Sequence, residues 1–460
     1  MSDSILSLKE KSKRRDEAIV DFSQGFINRR EFMFRMTALG IGIAAAARTA
    51  DVLAAPRKTD KPSRWAKQAD ATVTTIKGPH HPDDAKFWDQ MKADFESSHP
   101  GIKLNPTFFD WAQMDAQLTA GYASDSPPDA VYLVDLVLAK FGNAGQVSDI
   151  TAQVNDASWA SEKAAIAPFT WDVTKFGDKQ LGVGVLGAAF GIFYNADLLS
   201  AAGITDFPKT RDALIEAAKA TTKDGVWGFQ FRDRFPDYGH WDLLPYVHND
   251  GGDVLTPDNT AQAFSPQAAS GIQFLADSKL VSKVSPEAGA YDWASQKALF
   301  EAGRIAILHD EYPQANVWDL GDTKVPFTLG VAQAPATTDG GKQTTMGNFG
   351  YETISEKSQV KDATWEFIKW YSSADVINAY AAKIGLQGVR TDSTPAYESK
   401  LLQQVQSEFV PKVQGVNIHE NYNQMLTNLW PEIEKAYRGE QTGEEAAAKA
   451  ADAITALISS

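Results

Sequence analysis

The chain has 460 residues, which is too long for one ordinary hydrophobic core and favours two or three domains. Its net charge of −15 argues against a nucleic-acid partner, because phosphate binding depends on clustered lysine and arginine. The absence of cysteine excludes disulfides, thiolate metal ligands, a cysteine nucleophile and a lipid-modified cysteine near the N-terminus.

The first predicted element is an export signal over residues 1–54. Arg29 and Arg30 precede an apolar run over residues 36–47, and the small residues Ala54 and Ala55 follow. This order is typical of a secretory signal peptide, and the run is shorter than the ~20 residues that span a membrane. The paired arginines resemble the twin-arginine motif. We therefore expect the twin-arginine export machinery to move the folded chain, with cleavage near Ala54/Ala55. The mature protein is then periplasmic and not a lipoprotein, and the polar residues 55–69 form a linker.

Strand and helix patterns alternate from residue 71 onwards. Strands are predicted at 71–76, 102–108 and 130–134, because β-branched and apolar residues alternate or cluster there. Between the first two strands, apolar residues at three- and four-residue spacings predict a helix, and a second helix is predicted at about 112–122. Strand, helix, strand, helix, strand in this order predicts a parallel sheet.

The stretch Gly182–Leu199 allows two interpretations. Gly182, Gly184 and Gly187 match the G-x-G-x-x-G spacing of a dinucleotide-binding loop, which needs a strand before it and a helix after it. Here a polar turn precedes the glycines and Gly191-Ile192-Phe193-Tyr194-Asn195 follows, which is strand composition. A strand is therefore favoured over a nucleotide site.

Several segments together resemble the family 1 extracellular solute-binding proteins. They are HPGIKL at 99–104, PPDAVYL at 127–133, FEAGR at 300–304, ATWEFIKW at 363–370 and RGEQT at 438–442. Arg211 stands where this family usually has Trp, and Gly388 where it usually has Pro. The resemblance implies an α/β, two-lobed periplasmic-binding-protein fold. Each lobe is expected to be an α/β sandwich with a mostly parallel sheet, and hinge strands join the lobes. The implied N-terminal lobe is 70–188 plus 352–392, and the C-terminal lobe is 189–351 plus 393–460.

Catalytic and metal motifs find little support. His419-Glu420 lacks the second histidine of a zinc protease, no G-x-S-x-G elbow occurs, and the adjacent pair His80-His81 is poorly placed to hold one ion. A glycosidase pair such as Asp310-Glu311 or Asp83-Asp84 stays open, because the sequence does not give carboxylate separations. We expect a binding protein rather than an enzyme, with no metal and no cofactor.

Ligand-binding residues are expected where strands end, because ligands of open α/β sheets bind beyond the carboxyl ends of strands. A sugar offers apolar faces and hydroxyl groups, so its receptor needs aromatic rings and fixed polar groups. By this rule, and by the family's binding loops, the predicted residues are His81, Asp83, Trp111, Asp135, Asp310, Glu311, Tyr312, Asn348, Phe349 and Arg390. Weaker choices are Tyr238, His240, Trp241 and Tyr422.

The resemblance implies an extracytoplasmic solute-binding protein of an ATP-binding-cassette importer. Such a protein captures a carbohydrate, here a sugar or polyol, by closing its lobes and delivers it to a membrane permease. Gly187 and Gly191 are predicted to give the first hinge a thin, bendable backbone. The alternatives are another small solute, such as a glycerol phosphate or a betaine, and a periplasmic glycosidase.

Overall fold

A computed structural model of the chain describes Met36 and residues 71–458, apart from positions 82, 125, 236–238, 321–323, 417–418 and 420. The predicted export signal, with Arg29 and Arg30, and the linker lie outside the described residues, as does Tyr238. Of the helices that the structure describes, none has the length and apolar character required to cross a bilayer.

The first stretch of the chain alternates strands with helices, as predicted. Trp88, Met91 and Phe95 form the buried face of its first helix, which ends at Ser98 before His99-Pro100. The helix predicted at about 112–122 begins with a 3-10 turn over Trp111–Gln113. The elements are β1 (Ala71–Lys77), α1 (Asp84–Ser98), β2 (Ile102–Phe108), α2 (Met114–Ala123), β3 (Ala130–Val134), α3 (Asp135–Asn143), α4 (Thr151–Val154), α5 (Ala160–Ala165), α6 (Pro168–Val173), β4 (Lys175–Phe176), β5 (Lys179–Gln180) and β6 (Gly182–Asn195).

The strand interpretation of the glycine-rich stretch is confirmed, because β6 runs without interruption from Gly182 to Asn195. The elements that follow β6 begin with a short helix capped by the Asn195 side chain. The next helix, Arg211–Thr221, is capped by Thr210, whose hydroxyl accepts a hydrogen bond from Ala213 N. These elements are α7 (Ala196–Ala201), α8 (Arg211–Thr221), β7 (Trp227–Gln230), α9 (Gly239–Asn249), α10 (Ala268–Leu280), α11 (Trp293–Glu301), β8 (Ile305–Glu311), β9 (Leu329–Ala332) and β10 (Thr345–Ile354).

The last stretch is mainly helical and returns to both lobes. Helices near its start pack on the core that contains β1–β3, and those near its end pack against α10. The elements are α12 (Lys361–Tyr371), α13 (Ala374–Ile384), β11 (Gln387–Gly388), α14 (Lys400–Gln404), β12 (Val413–Gln414), α15 (Tyr422–Tyr437) and α16 (Gly443–Ile458).

One sheet passes through both lobes. Among the described residues it has ten strands, with the central order β2-β1-β3-β10-β6-β8-β7, while β9 and β11 pair with β6 and β12 pairs with β10. β1, β2 and β3 are mutually parallel in the first lobe, and β7 is parallel to β8 in the second. The long strands β6 and β10 are antiparallel to each other and cross between the lobes.

The described residues form two large hydrophobic cores and a smaller third one. The first core draws its buried residues from 71–186 and 349–389, and the second from 190–346 and 416–454. The third joins Phe193 and Leu308 to the segment 397–410. The predicted lobe boundaries stay predictions, because β6 and β10 each contribute to both large cores.

Candidate functional site

The candidate site is the crevice between two sets of facing strand ends. β1–β3 run in the same direction as β6, since β3 and β6 are both antiparallel to β10. β8 is antiparallel to β6, and β7 is parallel to β8. The carboxyl ends of β1–β3 therefore point towards the second lobe, and those of β7 and β8 point towards the first. The loops after these strands form the two walls of the crevice.

In the first wall, the loop after β1 packs on the indole ring that follows β2. Trp111 Nε1 donates a hydrogen bond to Pro79 O at 2.6 Å, and the rings of His80 and Trp111 lie 5.1 Å apart. Only a glycine fits at position 78, because a Cβ on Gly78 would lie under 3.0 Å from the Trp111 ring. Burial lowers the pKa of His80 well below its ordinary value, so the ring is neutral. Its Nδ1 has no hydrogen-bond partner among the described residues.

Asp135 completes the first wall, directly after β3. Its side chain is buried, and Oδ1 has no partner within the described part of the chain. Burial raises the pKa of Asp135 to about 7, although a hydrogen bond with Tyr351 opposes the shift. Tyr422, at the start of α15, contributes to the second core. Its pKa is raised by burial first and then by the charges of Asp253 and Asp135. The helix that Tyr422 begins contacts α3, the helix that Asp135 begins.

In the second wall, a buried arginine follows β7. Arg232 Nε lies 3.1 Å from both carboxylate oxygens of Asp242, and Arg232 N donates to Asp242 Oδ2 at 2.6 Å. The guanidinium lies over the rings of Phe190 and Trp241, at 5.4 and 5.9 Å from their centroids. Its Nη1 is 3.7 Å from Oδ1 of Asp310, near the end of β8. Arg232 thus links the ends of both parallel strands of the second lobe.

The Asp310 carboxylate is buried, and neighbouring donors and Arg232 balance part of its charge. It accepts hydrogen bonds from Trp293 Nε1 at 3.1 Å and from Glu311 N at 2.8 Å. Burial raises the pKa of Asp310 to about 6, while Arg232 opposes and Glu311 reinforces the shift. Burial also opposes ionisation of Asp242, but Arg232 and His309 outweigh it and lower that pKa. Arg232 therefore favours the charge of Asp242 more effectively than that of Asp310.

His240 and Trp241 open α9 beside this arginine. Burial, assisted by the charge of Arg232, lowers the pKa of His240 to about 3. The imidazole is therefore neutral, and its Nδ1 finds no partner among the described residues. Trp241 is half-buried and stacks on Phe190 with ring centroids 4.6 Å apart. Trp241 and His240 together therefore offer an aromatic face and a polar atom that lacks a partner among the described residues.

The structure brings some of the predicted ligand residues together and separates others. Trp111 and Asp135 lie in the first wall, and Asp310 and Glu311 lie in the second. Asn348 is half-buried on β10, where that strand crosses between the lobes.

Two predicted residues of the loop after β1 already have local partners. His81 packs its ring 5.5 Å from Phe87 and accepts a hydrogen bond from Asp83 N. The Asp83 carboxylate pairs at 2.5 Å with the exposed Lys86 on the next turn of the chain. Both interactions hold the loop at the start of α1, and ligand contacts for these residues stay predictions.

Three further predicted residues are buried with partners inside the protein. Tyr312 is wholly covered and donates from its hydroxyl to Ala332 O at 2.6 Å. Phe349 packs 5.2 Å from Phe169. Arg390 lies 2.7 Å from Glu162 and 2.8 Å from Asp392, and it also donates to Ser372 O. These contacts give each of the three residues a structural role. A role of these residues in ligand binding remains a prediction.

The two glycines predicted to form the hinge are closely packed inside the protein. Gly187 and Gly191 lie inside β6, and neither has a positive φ. A Cβ on Gly187 would come under 3.0 Å from the backbone of Asn348 and Phe349, and one on Gly191 would overlap the Tyr312 hydroxyl. Close packing therefore gives a reason for glycine at both positions that does not depend on backbone flexibility. The hinge role itself stays a prediction.

Sequence reasoning missed Arg232, Asp242 and Trp293, and it did not select His80 as a ligand-binding residue. Arg232 follows β7, so the rule of carboxyl ends would have found this residue had it been applied to that strand. Asp242 lies inside α9 and Trp293 begins α11, and no local sequence signal marks either as part of the wall. In the part of the chain that the structure describes, no group of three or more acidic or histidine side chains could hold a metal.

The comparisons with known proteins agree with this architecture. A family model described as bacterial extracellular solute-binding protein matches residues 78–377, and the chain belongs to this family. Putative binding proteins of Brucella abortus (strain 2308) and Brucella suis biovar 1 (strain 1330) are each 23% identical over 298 residues, which are 63% of this chain and 69% of theirs.

Solved structures give the same fold at low sequence identity. A cyclic α-maltosyl-1,6-maltose binding protein from Arthrobacter globiformis has a TM-score of 0.74 and 23% identity, over 85% of this chain and 99% of that one. The sugar-binding protein MalE from Xanthomonas citri has a TM-score of 0.72 and 18% identity, over 85% and 98%. A solute-binding protein of an ABC transporter from Thermotoga lettingae has a TM-score of 0.71 and 20% identity, over 84% and 100%. The predicted two-lobed fold is therefore confirmed.

Proposed function

We propose that this protein is the carbohydrate-binding subunit of an ATP-binding-cassette importer. It captures a sugar or polyol between the walls of the crevice and delivers it to a membrane permease. The observation that carries the proposal is a set of buried polar atoms without partners among the described residues, two from each lobe. They are His80 Nδ1, Asp135 Oδ1, His240 Nδ1 and the Tyr422 hydroxyl. An unsatisfied buried polar group costs about 1–3 kcal/mol, and a polyhydroxy ligand supplies the missing hydrogen bonds.

Aromatic rings beside these atoms support the same ligand class. Trp111, Trp241 and Trp293 are half-buried, so each presents part of an indole face or edge. Carbohydrate rings carry apolar C–H faces that pack on such surfaces, while their hydroxyls need fixed donors and acceptors. Both requirements are met within the walls of this crevice.

The solved relatives support a carbohydrate as well. The Arthrobacter protein is named for binding cyclic α-maltosyl-1,6-maltose, and the Thermotoga lettingae protein was crystallised with α-D-tagatose. The latter is described as part of an ABC transporter. These are properties of those proteins, and they make a sugar ligand and an importer the first hypothesis for this chain.

Lobe closure gives the proposed mechanism. β6, β10 and the segment that carries β11 and β12 connect the two lobes. A ligand that contacts both walls binds the closed arrangement more tightly, so binding shifts the population towards closure. The permease then recognises the closed, loaded form.

Calorimetric titration after a thermal-shift screen tests the proposal. The purified protein is screened against tagatose, maltose, maltotriose, sorbitol, glycerol 3-phosphate and glycine betaine, since a ligand of the folded state raises the melting temperature. We expect a sugar or polyol to bind, Trp111→Ala to weaken it, and Asp94→Asn, on the exposed face of α1, to leave it unchanged. Binding of only the phosphate or the betaine would contradict the carbohydrate. If chromatography detected turnover of a sugar by the purified protein, the protein would be an enzyme rather than a binding protein.

Export by the twin-arginine machinery is part of the proposal. Arg29 and Arg30 stand before the apolar run of the predicted signal. Replacing both with lysine preserves charge, so it tests the paired arginines themselves. We expect uncleaved precursor in the cytoplasm, whereas undiminished periplasmic protein would contradict this route.

A further inference from the structure

Buried cations at the crevice walls are already paired with carboxylates. In the first lobe, Lys77 Nζ lies 3.2 Å from Asp84. In the second lobe, Arg232 is held by Asp242, and Lys279 lies 3.0 Å from Asp233. These side chains are almost fully buried, and their charges are balanced inside the wall.

Two other cations near the walls also interact with groups of the protein itself. Arg234 has an interaction partner within the protein, and its charge contributes to lowering the pKa of Asp292. Lys297 has its ammonium group over the Trp293 ring at 4.7 Å from the centroid. Lys175 and Lys179 line a different cavity, outside the loops that follow the parallel strands.

The polar atoms of the crevice that lack partners among the described residues are, in contrast to these cations, not positively charged. Asp135 Oδ1 accepts hydrogen bonds when ionised and has no partner among the described residues. His80 and His240 are held neutral, so their free ring nitrogens carry no positive charge. Asp310 is shared with an arginine that is already bound to Asp242. The walls therefore offer neutral polar groups together with Asp135, which adds a negative charge when its carboxyl is ionised.

From this arrangement we infer that the crevice selects neutral and amino carbohydrates and rejects acidic ones, and that Asp135 is a residue that sets this selectivity. The inference rests on the proposed function and deepens it. A hydroxyl or an ammonium group of the ligand donates to Asp135 Oδ1 and stabilises the bound state. When Asp135 is ionised, a carboxylate or phosphate placed there meets a like charge in a site of low dielectric constant, where repulsion is strong.

Matched sugars test the inference on the whole mature protein. Each neutral sugar is compared with its amino and acidic forms, namely glucose, glucosamine and glucuronate, and galactose, galactosamine and galacturonate. Glucose 1-phosphate and glycerol 3-phosphate complete the set, and affinities are measured by calorimetry at low salt and about pH 8.5, above the Asp135 pKa of about 7, so that this carboxylate is ionised. We expect acidic forms to bind about tenfold or more weakly than their neutral parents, since salt screening of a buried pair is small.

Asp135→Asn sharpens the test because it removes the charge and keeps the shape. We expect the ratio of acidic to neutral affinity to rise about tenfold in this variant. The same ratio stays at the wild-type value in Asp94→Asn, whose exposed carboxylate lies ten residues, about 15 Å, along α1 from Asp84. The wild-type comparison stands by itself if Asp135→Asn proves unstable.

The outcomes separate the two proposals. Equal or tighter binding of an acidic form would overturn the charge selectivity while leaving a carbohydrate-binding protein. An unchanged ratio in folded Asp135→Asn would overturn the assignment to Asp135. Binding of glycerol 3-phosphate with no sugar bound in this set or in the thermal-shift screen would overturn both, and so would binding of no compound in either set.

Discussion

The two lobes each bury a charged network at the carboxyl end of a parallel strand, and the networks differ in what they face. In the first lobe, Lys77 ends β1 and pairs with Asp84, and the Tyr380 hydroxyl bonds to both. Trp88 Nε1 donates to that hydroxyl at 2.8 Å, so the network is enclosed by aromatic side chains. Burial leaves Glu352 protonated beside it, with its pKa raised to about 8 although Lys77 opposes the shift. This network stabilises the lobe from within.

In the second lobe, the corresponding cation is an arginine and forms part of the wall. Arg232 binds Asp242 with one edge of its planar guanidinium and lies over the half-buried Trp241. Its Nη1 is directed at Asp310, which stays incompletely compensated. A lysine ammonium could not bind one carboxylate in a bidentate manner and also stack on an aromatic ring. The comparison suggests that the same charge pairing serves stability alone in one lobe and both stability and binding in the other.

The largest expected effect separates these two roles. Arg232→Met and Lys77→Met each leave a buried carboxylate without its cation, which costs about 3–5 kcal/mol of unfolding free energy. Chemical denaturation should give similar losses for the two variants. Only Arg232→Met should also abolish sugar binding, measured by calorimetry where the variants remain folded. Equal loss of affinity in Lys77→Met would remove the distinction between the networks.

The second prediction concerns the uncompensated acid of the first wall. Asp135 has a pKa raised to about 7 in the folded state, so it keeps its proton while the unfolded chain loses it above about pH 4. The folded state therefore loses stability as the pH rises from about 4 to 7, and the loss is constant above that range. Asp135→Asn lacks this loss.

Urea unfolding at several pH values measures the difference. We expect the unfolding free energy of Asp135→Asn to increase relative to that of the wild type as the pH rises, by at most about 4 kcal/mol at pH 7. Asp94→Asn provides the control, because its carboxylate is exposed. A stability difference that did not change with pH would show that Asp135 is not forced to ionise in an unfavourable site.

These residues also show what could be predicted from the sequence. Runs of apolar and β-branched residues located β1, β2 and β3. The rule of carboxyl ends, together with the family's binding loops, then selected Trp111, Asp135 and Asp310. Tyr312 was chosen by the same rule, but it lies one residue beyond β8 and its ring packs in the third core. Arg390 binds Glu162, which is 228 residues earlier in the chain. Local patterns carry no information on such partners, so burial and pairing required the structure.

The third prediction tests whether close packing or flexibility explains the glycines of β6. Gly187→Ala places a Cβ against the backbone of Asn348 and Phe349, which costs about 1–3 kcal/mol through overpacking. Gly121→Ala in α2 meets only Pro128 Cδ at 3.5 Å, and it should stabilise the protein by about 0.5–1 kcal/mol. Denaturation curves measure both values. If Gly187→Ala kept full stability but lost ligand-induced compaction in X-ray scattering, a flexible hinge would be the better explanation.

The smallest expected effect comes from the hydrogen bond that supports Asp310. Trp293→Phe keeps an aromatic ring but removes the indole N–H that lies 3.1 Å from the carboxylate. A hydrogen bond to a charged group contributes about 1.5–3 kcal/mol, and Glu311 N and Arg232 still support Asp310 in the variant. We therefore expect Trp293→Phe to decrease sugar affinity about tenfold, which corresponds to about 1.5 kcal/mol. The decrease should be smaller at pH 5, because Asp310, with a pKa of about 6, is mostly protonated there in both proteins. Calorimetry at the two pH values measures this change. An equal loss at both would assign the effect to the indole ring rather than to the carboxylate of the second wall.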